Sequence, residues 1–99
     1  MTTTTDDFSV VENPDQHRFE LIRNGELVGF AQYHQRDREV VVPHVETVRH
    51  YRGQGYGARL VDGVLEILRA DGRTITPLCS FAAGHIGDNA QHHDLLTAC

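Results

Sequence analysis

Val45-Glu46-Thr47-Val48-Arg49-His50-Tyr51-Arg52-Gly53-Gln54-Gly55-Tyr56-Gly57-Ala58-Arg59-Leu60, residues 45–60, holds the point at which the hydrophobic period changes. On its N-terminal side, residues 39–48 alternate as a strand does, and Pro43 removes one ladder donor, which predicts a bulge, bend or break there. On its C-terminal side Leu60, Val61, Val64, Leu65 and Leu68 recur at helical spacing, with Arg59, Asp62, Glu66 and Arg69 along the other side. Gly72 follows as a left-handed cap. A strand thus feeds an amphipathic helix through a turn of three glycines.

Upstream, residues 8–22 read as extended chain with a turn at Asn13-Pro14-Asp15. Asn24-Gly25 is a strong hairpin signal because both residues tolerate positive φ, and residues 27–34 supply the return strand. Residues 35–38 form a second turn. Downstream, residues 74–81 read as a short buried strand with Pro77 near its middle. Residues 82–96 are weakly helical and interrupted by Gly84 and Gly87. The fold class is α+β: a mostly antiparallel, mixed sheet, one main amphipathic helix and a short C-terminal helix.

The 99 residues make one domain, since chains of about 100 to 150 residues fold around a single core. Residues 1–7, with four threonines and two aspartates, read as a flexible polar tail, leaving 8–99 as the domain. No apolar run approaches the ~20 residues of a membrane span, and the N-terminus lacks the basic start and apolar stretch of a signal peptide. A soluble, cytoplasmic protein is expected, monomeric or weakly dimeric. The formal charge is −5, and all nine basic residues are arginine. An acidic chain without a basic stripe is not expected to bind nucleic acid, and the absence of lysine removes Schiff-base chemistry. Cys79 and Cys99 form neither a disulfide framework nor a zinc-type pair. His85, His92 and His93 lack the i, i+4 spacing of a helical metal pair, so no metal is expected.

The glycine turn has two readings. The first amides of a helix have no intrahelical partner and sit at the positive end of its dipole, so Arg52 and the turn would hold a phosphate or pyrophosphate. Alternatively, the glycines only let the helix pack close to its strand. A P-loop is excluded because it needs a lysine, and the dinucleotide fingerprint because Gly53, Gly55 and Gly57 do not have G-x-G-x-x-G spacing.

Arg52-Gly53-Gln54-Gly55-Tyr56-Gly57 resembles the Q/R-x-x-G-x-G/A signature of the GNAT superfamily of N-acetyltransferases. The likeness continues to a small GNAT-like family of the YjdJ type, through His44 before the turn, the helix after it, and Pro77-Leu78-Cys79-Ser80-Phe81. This resemblance implies a minimal GNAT-like fold and acetyl-CoA as co-substrate. Its pyrophosphate would lie on Arg52, Gly53, Gln54, Gly55, Tyr56, Gly57 and Ala58, and its pantetheine arm along Thr47 and Val48. The family's last helix packs near the cofactor, which makes Asn89 or His93 a contact to the CoA arm. Larger relatives carry two helices between their first strands that help build the acceptor pocket; Asn24-Gly25 leaves no room for them. The implied activity is acetyl transfer to a primary amine: a small amine, a peptide N-terminus or a lysine side chain. The alternative is a non-catalytic module that binds CoA or acyl-CoA, or another protein.

Amine acetylation needs a neutral amine and a proton for the departing thiolate. If Pro43 leaves the register intact, Val40, Val42, His44, Glu46 and Val48 share one strand face, with His44 and Glu46 about 7 Å apart. Either could deprotonate the amine; equally, His44 could be a hydrogen-bonded, half-buried histidine and Glu46 a solvated carboxylate. By the resemblance Cys79 lies near the thioester, as nucleophile or acid; otherwise it is a small buried residue.

Overall fold

The computed structural model describes residues 7–96; residues 1–6 of the expected tail and Cys99 lie outside the described residues. The chain forms β1 (Phe8–Asn13), a 3-10 turn (Pro14–Gln16), β2 (Arg18–Arg23), β3 (Glu26–Arg36), β4 (Glu39–Thr47) and a second 3-10 turn (Arg49–Tyr51). It continues through α1 (Tyr56–Asp71), β5 (Thr74–Pro77), α2 (Ser80–Gly87) and a final 3-10 segment (Ala90–Leu95). The five strands lie in chain order in one sheet, antiparallel from β1 to β4, with β5 parallel to β4. A parallel neighbour cannot be reached by a tight turn, and α1 is the crossover that returns the chain.

Local chemistry sets the joints. Asn24 (φ 51°) and Gly25 (φ 84°) are both left-handed, as a two-residue hairpin with the right twist requires. Asn24 also ties down the start of the domain: its Oδ1 accepts from Asp7 N–H at 2.9 Å and its own N–H donates to the Asp7 carbonyl at 2.9 Å. Gly72 (φ 70°) ends α1, its N–H donating to the Arg69 carbonyl.

One face of the sheet carries the core. Leu60, Val61, Val64, Leu65 and Leu68 of α1 bury against Phe19, Leu21, Ala31, Val40, Val42 and Ile75, each fully buried aliphatic side chain contributing roughly 1.5–3 kcal/mol. The helix lies so close to β1 that a methyl group at Gly63 would stand 2.2 Å from Val10 Cγ2. At the far end of the sheet, Arg73 donates to Glu12 (2.8 and 3.3 Å), Gln35 (3.0 Å) and Asp71 (2.7 Å), and the Tyr33 hydroxyl donates to Glu12. This network joins β1, β3 and the α1–β5 turn. The Arg73 hydrogen bond holds the Glu12 carboxyl below its ordinary range, while burial, then the bond to Glu12, pushes the Tyr33 hydroxyl up to about 12.

Three local expectations are corrected. The strand expected over residues 74–81 stops at Pro77, because the proline has no donor and the next two N–H groups, of Leu78 (2.9 Å) and Cys79 (3.2 Å), both turn onto the Val42 carbonyl. Cys79 is therefore the N-cap of α2, not a strand residue. Gly84 does not interrupt α2: it is exposed, while Ala82 and Ile86 hold the helix by burial at i, i+4. Finally, Pro43 does shift the register. Gln32 pairs with His44 but His34 with Val41, so β4 carries one extra residue at the bulge. Val40 and Val42 face α1, whereas His44 and Glu46 share the opposite face with Gln32 and Phe30.

Replacing Gly63 by alanine should destabilise the fold by about 1–3 kcal/mol in urea unfolding, because β1 must move away from α1. Adding Val10→Ala should recover part of that loss, a coupling that independent sites would not show. The folded-state depression at Glu12 stabilises the protein above the unfolded carboxyl range near ~4.3, and that contribution is lost as pH falls through the lower folded value. Glu12→Gln should accordingly flatten the acid limb of a stability-versus-pH curve. The raised Tyr33 works the other way: its contribution is present below ~10 and is lost as pH climbs toward about 12, so Tyr33→Phe should flatten the alkaline limb.

Candidate active site

Beyond Val42 the sheet splits. β4 runs on to Thr47 while β5 has already ended, and a cleft of about 560 Å³ opens between β4 and the start of α1. Its walls are residues 44–47 of β4, Arg52, Gly53, residues 55–58 and the ring of Phe81. Val48 N–H donates to the Val28 carbonyl at 2.9 Å, on the β3 side. Strand alternation then turns the peptide groups of Val45 and Thr47 the other way, toward the cleft. The Thr47 carbonyl accepts from Arg52 Nε at 3.4 Å, which draws that guanidinium to the same edge.

The glycines serve different ends. Gly53 (φ 85°) and Gly55 (φ 78°) are left-handed with open space around them, so the backbone conformation itself requires glycine. Gly57 is in close contact instead: a Cβ there would stand 2.9 Å from Phe81 Cζ, so the ring would have to swing away. α1 begins with Gly55 as N-cap, no side chain caps it among the described residues, and no acid lies in its first turn. The N–H groups of Tyr56, Gly57 and Ala58 thus lack helix partners at the positive end of a 16-residue dipole. The Tyr56 side chain points into the core, 5.3 Å from Phe8 and 6.0 Å from Tyr51 between ring centroids, so what this residue offers an anion is its backbone.

At the other end of the cleft, His44 Nε2 lies 2.9 Å from Glu46 Oε1, with the two side chains 49% and 42% exposed. With Glu46 ionised, Nε2 carries the donated proton and Nδ1 keeps a lone pair. The Phe30 ring stands 6.3 Å away on the same face. The site therefore offers an anion cradle and a carboxylate-oriented imidazole, separated by a strand edge.

The cleft brings together His44, Glu46, Thr47, Arg52, Gly53, Gly55, Tyr56, Gly57 and Ala58. Val48, Gln54, Cys79 and Asn89 stand outside its lining. Val48 has its N–H on Val28, and Gln54 is exposed. Cys79 is half-buried against the core, and Asn89 Nδ2 donates to the His85 carbonyl at 2.6 Å. His93 Nε2 donates to the Gly87 carbonyl at 3.2 Å. Val45 and Phe81 are cleft residues that the sequence reading passed over. Nothing in the string marks Val45, which needs the bulge to be known; Phe81 is hidden as long as residues 74–81 are read as strand.

Comparison with known proteins reaches the same region of the chain. Residues 18–95 match the family model of the GCN5-related N-acetyl-transferase family. No match was found among curated proteins. Among solved structures, the chain is similar to the NMR structure of a GCN5-like protein from Staphylococcus aureus, with TM-score 0.68 and 20% identity over 92% of this chain and 89% of that one. It is also similar to part of the N-acetylglutamate synthase of Neisseria gonorrhoeae, a structure complexed with coenzyme A and N-acetyl-glutamate, with TM-score 0.57 and 13% identity over 88% of this chain and 26% of that one. These two likenesses concern the fold, whereas the family match spans most of the sequence and the whole of the cleft. The chain belongs to the GCN5-related N-acetyl-transferase family, and is an enzyme of the acyltransferase class.

Proposed function

We propose that this protein transfers the acetyl group of acetyl-CoA to a primary amine, and that the cleft between β4 and α1 is where it does so. The observation that carries the reading is the coincidence, in one cleft, of an uncapped helix N-terminus at one end and the His44–Glu46 pair at the other. Bound there, acetyl-CoA supplies an activated acyl thioester. The amides of residues 56–58 and the Arg52 guanidinium suit its pyrophosphate, because charge-assisted hydrogen bonds to a fixed anion are about twice as strong as neutral ones. The outward peptide groups of Val45 and Thr47 suit the amides of the pantetheine arm, which would then lie along β4 like an added strand.

His44 is the base in this reading. Nδ1 takes a proton from the incoming ammonium, and Glu46 holds the ring by its Nε2–H and balances the imidazolium that results. The neutral amine then attacks the thioester carbonyl, the C–S bond breaks, and the proton the nitrogen sheds on becoming an amide goes to the departing CoA thiolate. Cys79 sits outside the cleft lining, which favours direct attack of the amine over a cysteine-borne acetyl group. The acceptor is a small amine, a peptide N-terminus or a lysine side chain. Tight connections join β1 to β2 and β2 to β3, and no α-helix precedes α1 among the described residues, so an extended peptide can reach His44 from the outer face. The narrower YjdJ-type likeness remains part of the same proposal, resting on the spacing of His44, the glycine turn and the Pro77-to-Phe81 segment.

Calorimetric titration with acetyl-CoA and with CoA should show saturable binding, weakened at least about tenfold by Arg52→Ala together with Gly55→Asp. No binding at millimolar ligand would overturn the proposal. In an amine-acceptor screen, His44→Ala should lower kcat about 10²-fold with acetyl-CoA affinity unchanged. Cys79→Ala should turn over at a rate of the wild-type order; loss of activity with binding intact would move the chemistry to the cysteine. Binding without transfer to any amine would overturn the proposed class of acceptor.

A further inference from the structure

We infer that Asp62, His85 and His92 form a binding site for a divalent transition metal of the zinc class, on the outer side of α1 and separate from the cleft. The three residues come from α1, α2 and the final 3-10 segment, and the fold alone brings them together. His85 Nε2 stands 2.7 Å and His92 Nε2 3.2 Å from the same oxygen, Asp62 Oδ1, and the three donor atoms lie within 4.8 Å of one another.

Bonds of about 2.0–2.2 Å to nitrogen and oxygen put neighbouring donors of a tetrahedral site roughly 3.4 Å apart. The 3.2 Å from His92 Nε2 to Asp62 Oδ1 is close to that value, while the 2.7 Å from His85 Nε2 must open by about 0.7 Å, as it would when a cation replaces the shared proton. Two imidazoles and one carboxylate are the donors that zinc and its neighbours accept, and three protein ligands leave a further position for water. The His85 and His92 side chains are 19% and 14% exposed, which shields the site, while Asp62 at 48% leaves a way in.

Nearby cations are engaged elsewhere. The Arg59 guanidinium lies over the Phe8 ring at 4.0 Å, and Arg69 makes a two-pronged pair with Asp94 at 2.7 and 3.0 Å. Among the described residues, the side chains on Asp62 Oδ1 are those of the two histidines. The spacing of His85 and His92 argues against a metal only while both ligands are sought on one helix; the third donor comes from α1.

The consequence is structural. α2 and the final 3-10 segment rest on a small apolar base of Ala82, Ile86 and Leu95, and a metal on Asp62 would pin both to α1. The His85 ring also lies parallel to Phe81, 6.4 Å between centroids with a 7° interplanar angle, and Phe81 is the residue packed over Gly57 at the cleft wall. Metal would therefore steady that wall.

The test is zinc(II) titration of the full chain by calorimetry, paired with cobalt(II) absorption and thermal melts, all without acetyl-CoA so that the outcome does not depend on the transferase reading. One-to-one binding is expected, with ligand-field bands from cobalt(II). Binding should weaken at least about tenfold in His85→Ala and His92→Ala, and be unchanged in His93→Ala. Because the two histidines are largely buried, Asp62→Asn is the variant that guards against simple unfolding. It should melt like the wild type without metal and lose the zinc-induced rise in Tm. Absence of saturable binding, or a rise in Tm that Asp62→Asn retains in full, would overturn the site.

Discussion

The Val42 carbonyl accepts two backbone donors, Leu78 N–H at 2.9 Å and Cys79 N–H at 3.2 Å, and with that the pairing of β5 to β4 is finished. Pro77, opposite Val42, has no donor with which to continue the ladder. One residue later, the bulge at Pro43 turns β4 through half a period. The two events together open the sheet and re-aim what lies beyond. Val40 and Val42 remain in the core, while His44 and Glu46 emerge on the outer face beside the opening. Were β5 to pair along the whole of β4, the peptide edge at Val45 and Thr47 would be spent and there would be no cleft.

Electrostatics in this molecule work at short range. A formal charge of −5 repels a polyanionic ligand at a distance, though beyond about 8 Å physiological salt screens most of that field. What favours an anion is local: amide groups without helix partners, a helix pole with no acid in its first turn, and one arginine held to the same edge by the Thr47 carbonyl. Affinity should thus come from slow dissociation of a well-fitted group, with no help from steering during encounter. The Glu12–Tyr33–Arg73 network at the opposite end of the sheet uses the same chemistry for a different purpose, fixing the α1–β5 turn on the strands it must clear.

Much of this architecture is written in local signals. The Asn24-Gly25 hairpin, the helical stripe after the glycine turn and the Gly72 cap all depend on near neighbours, and each appears where the residues ask for it. Long-range effects were less legible. Alternation could not say which way His44 points, because one extra residue at Pro43 decides it. The end of β5 depends on a partner strand running past it, and with it the helical placement of Cys79 and Phe81. Asn89, just beyond α2, has its side-chain amide on the His85 carbonyl of that helix, at 2.6 Å. Asp62, an outward residue of the helical stripe, acquires its histidine neighbours only through tertiary packing.

The proposed acetyl-CoA site is the parting of β4 from β5, capped by the start of α1. Its most direct test is an amide-resolved NMR titration of the labelled protein with acetyl-CoA. The largest shifts should fall on Val45, Thr47 and residues 53–58, with Phe81 following, while β1 and β2 stay still. Shifts centred on the groove between β1 and α1, or none at all at saturating ligand, would contradict it.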